Sequence, residues 1–413
     1  MTDDRFSLAT KWSRMDPNPL TSSYVVDLLG RAKKGDVDAS TEIDRLFPRD
    51  GSRIGFGTAG LRSAMSPGPL GMNDLVVIQT TQGLARYCQW ARASSGGPYA
   101  DKEKLLAVIG FDHRCQLDFG LSSRRFAMLT KLVFLECGMN CVLLDCSEAG
   151  YVHTPLVSYA TIKLHASVGV MVTASHNPKA DDGYKVFWSD GVQIRPPLDS
   201  GIASFIVKEE NLVPWTDYGR LLEERRRPYP EDLCLGLGDR QKTMELADAY
   251  FHRILKSGLV TGQSNLLKDD NWTPPKIAYT AMHGVGHQWA IKSFETFELL
   301  PFRSVPSQEA PDPEFPTVPF PNPEEKGALD NAMEYSVENG CNIVFANDPD
   351  ADRLAVAERC SDTGVWTIFH GDQIGSLLGH WLWEKIGKDD PKVSDTMPAC
   401  GPDVNLIASF AIN

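Results

Sequence analysis

Positive charge is in short supply: 41 lysines and arginines stand against 54 aspartates and glutamates in 413 residues, a formal net charge of −13. That balance argues against nucleic acid as a partner, while leaving room for a locally positive pocket that takes a small phosphate ester. Long apolar runs are missing too, and nothing approaches the ~20 residues that a membrane helix requires. The opening MTDDRFSLATKW carries early acids and no apolar stretch of the secretory kind. Nine cysteines include no CxxC pair and no even, regular spacing, in a chain too long to need disulfide staples. Reduced thiols and a soluble, cytoplasmic protein are the expectation, with no membrane partner.

The length suits roughly three domains at about 150 residues each. Between residues 105 and 187 strand-like and helix-like patterns alternate. Leu105–Phe111 is a continuous apolar run, Ser122–Cys137 has helical periodicity closed by Gly138, and Cys141–Asp145 is again strand-like. Thr154–Leu164 reads as a helix and Ser167–Thr173 as a third buried strand. Continuous apolar strands separated by amphipathic helices imply successive α/β domains with mixed, largely parallel, covered sheets and an active-site cleft between the domains. The arrangement returns where PKIAYT leads into MHGVG and where CNIVFA leads into NDPDADR. Residues 209–235 are rich in charge and proline, and residues 301–326 hold eight prolines, so both read as connections. Boundaries near 205 and 320 follow, giving successive α/β domains over 1–205, 206–320 and 321–413.

DPDADR places Asp348, Asp350 and Asp352 at alternate positions behind a buried strand. Three like charges held together call for a cation, and an all-oxygen set of three leaves room for water and phosphate, as Mg2+ prefers. The EF-hand spacing is absent, and an ordinary acidic turn is the alternative. GFGTAGLR could present backbone N–H groups and Arg62 to an anion, or be a plain glycine-rich turn. In VTASHNPKADDGYK, Ser175 follows the third buried strand, at the sheet end where α/β proteins bind ligands. The stretch forms no GxSxG elbow, so acyl transfer gains little support. An oxygen nucleophile near Lys185 with a separate magnesium loop suits phosphoryl transfer, although Ser-His-Asn-Pro is also a common turn. His283 in AMHGVG could help hold an anion before a helix or be structural.

GTAGLR, TASHNP followed by GYK, AMHGVG, FPTVPFPNPEE and DPDADR occur in this order, and together they resemble the alpha-D-phosphohexomutase superfamily in its phosphoglucomutase and phosphopentomutase branch. The resemblance runs from about residue 40 to about residue 393. It implies a mutase that moves a phosphoryl group within a hexose or pentose phosphate, between glucose 1-phosphate and glucose 6-phosphate or ribose 1-phosphate and ribose 5-phosphate. Ser175 would be the phosphorylated serine. Asp348, Asp350 and Asp352 would hold Mg2+, which the phosphoserine also touches. Arg62 and Arg353 would bind the sugar bisphosphate, with His283 as a further binding residue. Lys185 would be the general acid-base or charge partner at the sugar hydroxyl, with His176 beside the serine in a supporting role. Glucose 1,6-bisphosphate, or a pentose bisphosphate, would be activator and intermediate, and a monomer is favoured.

The resemblance stops at the tail. Only 61 residues follow Asp352, and SDTMPACGPDVNLIASFAIN, from about residue 394, departs from the family pattern. The expectation is an incomplete third domain and an absent fourth, without the sugar loop and distal phosphate clamp. Two alternatives follow: a catalytically impaired shortened isoform or fragment, and a phosphotransferase that forms glucose 1,6-bisphosphate with the same serine.

Overall fold

The computed structural model describes residues 4–94, 105–145, 150–208, 240–257 and 274–383; the expected connection at 209–235 and the divergent tail lie outside them. Two compact units emerge, one within Met1–Val152, Leu156–Ala174 and Lys179–Thr243, the other within His153–Pro155, Ser175–Pro178 and Met244–Asn413. Among the described residues no helix is long and apolar enough to cross a membrane.

The first unit opens with three helices, α1 (Asp4–Met15), α2 (Pro19–Ala32) and α3 (Val37–Leu46). The side chains of Asn18 and Asp36 accept the first free backbone N–H groups of α2 and α3. Trp12, Val25, Leu28, Ile43 and Phe47 form a core of their own, with Trp12 and Phe47 edge to face at 5.7 Å. Strand β1 (Leu61–Ala64) and the 20-residue helix α4 (Asp74–Ala93) follow, then β2 (Leu106–Phe111) and the two-stranded ribbon β3 (Cys115–Gln116) and β4 (Leu121–Ser122). Helix α5 (Ser123–Glu136) is capped by Ser122 and ends before Gly138, whose φ of 73° suits glycine. Strand β5 (Asn140–Leu143), helix α6 (Thr154–Lys163), strands β6 (Val168–Val172) and β7 (Asp181–Trp188) and helix α7 (Leu198–Ile206) complete the unit. Its sheet has the order β1-β7-β6-β2-β5. β2 is parallel to both β5 and β6, while β7 is antiparallel to β6 and β1.

Helix α8 (Arg240–Lys256) leads to the second sheet: β8 (Ile277–Thr280), α9 (His287–Thr296), β9 (Arg303–Ser304), α10 (Asp330–Glu338), β10 (Ile343–Asn347), β11 (Leu354–Arg359), β12 (Trp366–Phe369) and α11 (Gly371–Leu382). The order is β12-β11-β10-β8-β9, with β8 parallel to β9 and β10 and the other pairings antiparallel. Residue 320, where a boundary was expected, lies between β9 and α10 on a segment that joins elements of this one sheet. The sheets are mixed, as expected, each with two parallel and two antiparallel pairings. The two sheets therefore share a plan. In each, a central strand (β6 or β10) is parallel to one neighbour, then turns through a loop into an antiparallel strand (β7 or β11).

Where α1 meets α2, Asp16 is 7% exposed and accepts from Asn18 N (3.3 Å) and the Thr21 hydroxyl. Burial outweighs these bonds and lifts its carboxyl from 3.8 to about 7. The folded chain therefore keeps a proton there that the unfolded chain loses. Stability from this group is full below 3.8 and falls away as pH rises to about 7. The slope is about 1.4 kcal/mol per pH unit at most. Guanidinium unfolding at pH 5 and pH 8 is expected to show that loss in the native sequence and little of it in Asp16→Asn. An equal loss in both would refute the assignment.

Candidate active site

Ser175 and Asp348 occupy equivalent places, each in the loop that follows the central strand of a sheet. Although 173 positions apart, they meet: the Ser175 hydroxyl donates to Asp348 Oδ2 at 2.7 Å, both residues being fully buried. His176 Nδ1 lies 3.3 Å from the same hydroxyl, and its ring is edge to face with Phe320 at 6.3 Å. Ser175 has φ 55°, a left-handed conformation that costs a non-glycine residue roughly 1–2 kcal/mol. Such a residue persists where the surroundings dictate it, and here the carboxylate contact supplies part of that constraint.

The carboxylate loop is folded on itself. Asp348 Oδ1 accepts from the backbone N–H of Asp352 (3.2 Å) and Arg353 (3.0 Å), while Ala351 N donates to Asp348 O (2.9 Å). Ala351, with φ 54°, is a second left-handed non-glycine residue. The winding brings one oxygen each of Asp348, Asp350 and Asp352 within 4.8 Å of one another, the first two buried. Hard oxygen donors at this spacing fit a small divalent cation, which would offset their mutual repulsion. Arg353 Nε is 4.0 Å from Asp348 Oδ2 and its side chain is 41% exposed, so the guanidinium can still meet a ligand.

Two supports were not visible in the spacing. Thr154 donates through Oγ1 to Asp350 Oδ2 at 2.5 Å and through its N–H to Asp350 O at 3.0 Å. The neighbouring His153 packs edge on against Trp289 at 4.3 Å, and burial holds its imidazole down at about 3, neutral at physiological pH. The turn AMHGVG supplies the other support. Val285 N donates to Pro349 O at 2.8 Å, and a Cβ on Gly284 would stand 2.4 Å from Pro349 Cα. Gly284→Ala is therefore expected to push the carboxylate loop away and cost about 2 kcal/mol. Thermal melts with and without Mg2+ test this: a variant as stable and as Mg2+-responsive as the native chain would contradict it.

His283, also left-handed at φ 61°, faces the proline-rich segment. Its Nε2 meets Thr317 Oγ1 at 2.8 Å, its N–H donates to Gln308 O at 3.0 Å, and its carbonyl accepts from Asp312 N at 2.9 Å. Burial lowers its basicity. The structure thus gives this histidine a tethering place against the proline-rich segment.

Arg62 and Lys185 belong to the first unit. Arg62 in β1 is in register with Gly183 of β7, and Lys185, two residues further along, pairs with Met171 and is 2% exposed. At the end of β2 a polar cluster underlies Thr173, two residues before Ser175 in the chain. Asp112 accepts from Ser123 Oγ (2.6 Å) and Thr173 Oγ1 (2.7 Å), and Ser123 Oγ also lies 2.9 Å from Asp182 Oδ2. Arg114 Nε stands 3.4 Å from Asp112 Oδ2 with both side chains fully buried. Burial, then the adjacent Asp112 carboxylate, pushes the Asp182 carboxyl well above the usual range.

Residues 53–213 match the model of phosphoglucomutase/phosphomannomutase alpha/beta/alpha domain I, and residues 248–362 match that of domain II. A phosphopentomutase of Mus musculus is 40% identical over 390 residues, covering 94% of this chain and 57% of that protein. A glucose 1,6-bisphosphate synthase of Homo sapiens is 36% identical over 390 residues, covering 93% of this chain and 56% of that protein. The chain thus spans little more than half the length of these relatives. The fold is similar to that of a phosphoglucomutase/phosphomannomutase family protein from Burkholderia thailandensis, with a TM-score of 0.51 at 20% identity over 79% of this chain and 58% of that one. Two successive domain matches and the motifs GTAGLR, TASHNP and DPDADR lead to one conclusion: the chain belongs to the alpha-D-phosphohexomutase superfamily.

Proposed function

We propose that the chain carries the phosphoryl-transfer centre of a phosphosugar mutase, with Ser175 as the group that gives up and recovers the phosphate. The observation that carries this reading is the 2.7 Å contact of the Ser175 hydroxyl with a loop of three converging carboxylates. A phosphate on that oxygen would be repelled by the bare loop. Asp348, Asp350 and Asp352 would hold a Mg2+ ion, whose chemistry there is to neutralise charge on the transferring group.

The phosphoserine Oγ–P bond breaks as a sugar hydroxyl oxygen forms a new bond to phosphorus. The hydroxyl proton passes to a protein base, for which His176 and Lys185 are the proposed groups. Arg62 and Arg353 would pair with phosphate oxygens, Arg353 keeping an exposed guanidinium for the purpose. When the bisphosphate presents its other phosphate, that P–O bond breaks, the serine ester re-forms, and the proton returns to the sugar oxygen. The electrostatic demand is met by charge already in place, so little reorganisation accompanies the step.

Resemblance to a phosphopentomutase favours a pentose phosphate, with hexose phosphate as a second substrate. The 36% identity to a glucose 1,6-bisphosphate synthase supports a second reading, in which the bisphosphate leaves as product. The test is incubation with glucose 1,6-bisphosphate and Mg2+, followed by mass analysis of the peptide around Ser175. Phosphate on Ser175 supports the centre, and its absence refutes it. Conversion of ribose 1-phosphate and glucose 1-phosphate then separates isomer from released bisphosphate.

A further inference from the structure

Away from these loops, the first unit contains a cavity of about 420 Å³. One wall is a single face of α1, where Leu8, Lys11, Trp12 and Met15 recur at helical spacing. The opposite wall is Leu75, Val76 and Gln79 of α4, and the segment from Phe47 to Arg53 closes the end. The lining is mostly aliphatic and aromatic. Among the described residues its ionisable groups are Lys11 and Arg53, with no carboxylate in the lining.

Arg53 is unusually placed for a cation. Its guanidinium donates to the Gln79 side-chain oxygen, a neutral partner that is itself 5% exposed. No carboxylate pairs with it among the described residues, and burial lowers its basicity with no opposing acid. A guanidinium stays protonated even so. A desolvated positive charge facing an apolar space is unfavourable until an anion meets it. A second cavity, of about 470 Å³, shares Arg53 and Val76 but offers no second cation, which favours the first for an anion.

We propose that the cavity between α1 and α4 is a binding site for a small organic anion with an apolar body. The anionic head would sit between Arg53 and Lys11, and the body would lie against Trp12, Phe47 and Leu75. The volume is within the range of ordinary small-molecule sites. The site is independent of the phosphoryl-transfer centre: it shares no residue with it, and helices α1 to α3 lie before the matched domain, which begins at residue 53.

The probe is 1-naphthalenesulfonate, titrated calorimetrically into the full chain beside its neutral counterpart, 1-naphthalenemethanol. One saturable site for the sulfonate is expected, with the alcohol weaker by about tenfold or more, the worth of one charge-assisted hydrogen bond. Arg53→Gln should weaken the sulfonate to a similar extent and leave the alcohol unchanged. Lys11→Met, at an exposed position that the fold does not need, should weaken the sulfonate by a few fold and reduce its salt dependence. If Arg53→Gln fails to fold, as judged by circular dichroism, Lys11→Met alone decides. Equal binding of both probes, no change in the variant that decides, or no saturation by the sulfonate would each overturn the proposal.

Discussion

Replacing Ser175 with alanine is expected to abolish phosphoryl transfer while leaving the second unit folded. Loss of a nucleophile that forms a covalent intermediate costs roughly 10^6-fold in turnover in well-studied hydrolases, and a comparable loss is expected here. The phosphoenzyme should vanish from the peptide around residue 175, a readout that does not depend on which sugar is used. A glycine variant separates chemistry from strain. At φ 55° glycine is relaxed where alanine is not, so Ser175→Gly should be more stable than Ser175→Ala by about 1 kcal/mol. Both should be inactive. Appreciable transfer by either would mean that the hydroxyl 2.7 Å from Asp348 is not the phosphate carrier.

The second large effect concerns the carboxylate loop. Three carboxylates within 4.8 Å repel one another, and a bound Mg2+ ion reverses that penalty. At a Mg2+ concentration one hundred times its dissociation constant, linkage raises stability by about 2.7 kcal/mol. Asp352→Asn removes one ligand from the least buried position of the three. If affinity falls about a hundredfold, the gain at the same concentration shrinks to about 0.4 kcal/mol. In chelator the order inverts, because the variant has one charge fewer to hold together. Urea unfolding with EDTA and with excess Mg2+ reads both effects. A native chain indifferent to Mg2+, or a variant that follows it in both conditions, would remove the loop from consideration as a metal site.

Much of the fold was legible because its signals are local. The strand at Leu106–Phe111 is a continuous apolar run, α5 begins beside its serine cap and stops before Gly138, and β10 delivers its motif at the end of a buried stretch. The segment between 301 and 326 was misleading for a physical reason. Prolines mark a chain that cannot enter a ladder, but they do not say whether it links two domains or crosses within one. Here Gln308 and Thr317 bind His283 and carry the segment from β9 to α10 of one sheet.

The residue types at the candidate site were legible and their meetings were not. Nothing in TASHNP announces that its serine reaches a carboxylate 173 positions away, since that contact is a product of tertiary folding. Thr154 was passed over as the first residue of a helix, which it also is. Asp112 and Asp182 look like ordinary acids in the sequence. Only their burial on either side of Ser123 shows why the Asp182 carboxyl is pushed well above the usual range.

The shared plan of the two sheets bears on how such a centre can change over time. The Ser175 hydroxyl and the carboxylate loop sit at the same address in two copies of one strand-loop-strand plan, after β6 in one and after β10 in the other. Each copy can drift in its own loop without disturbing the strand that presents the other. The proposed phosphate carrier and the proposed metal loop are then separately tunable parts, free to evolve at different rates.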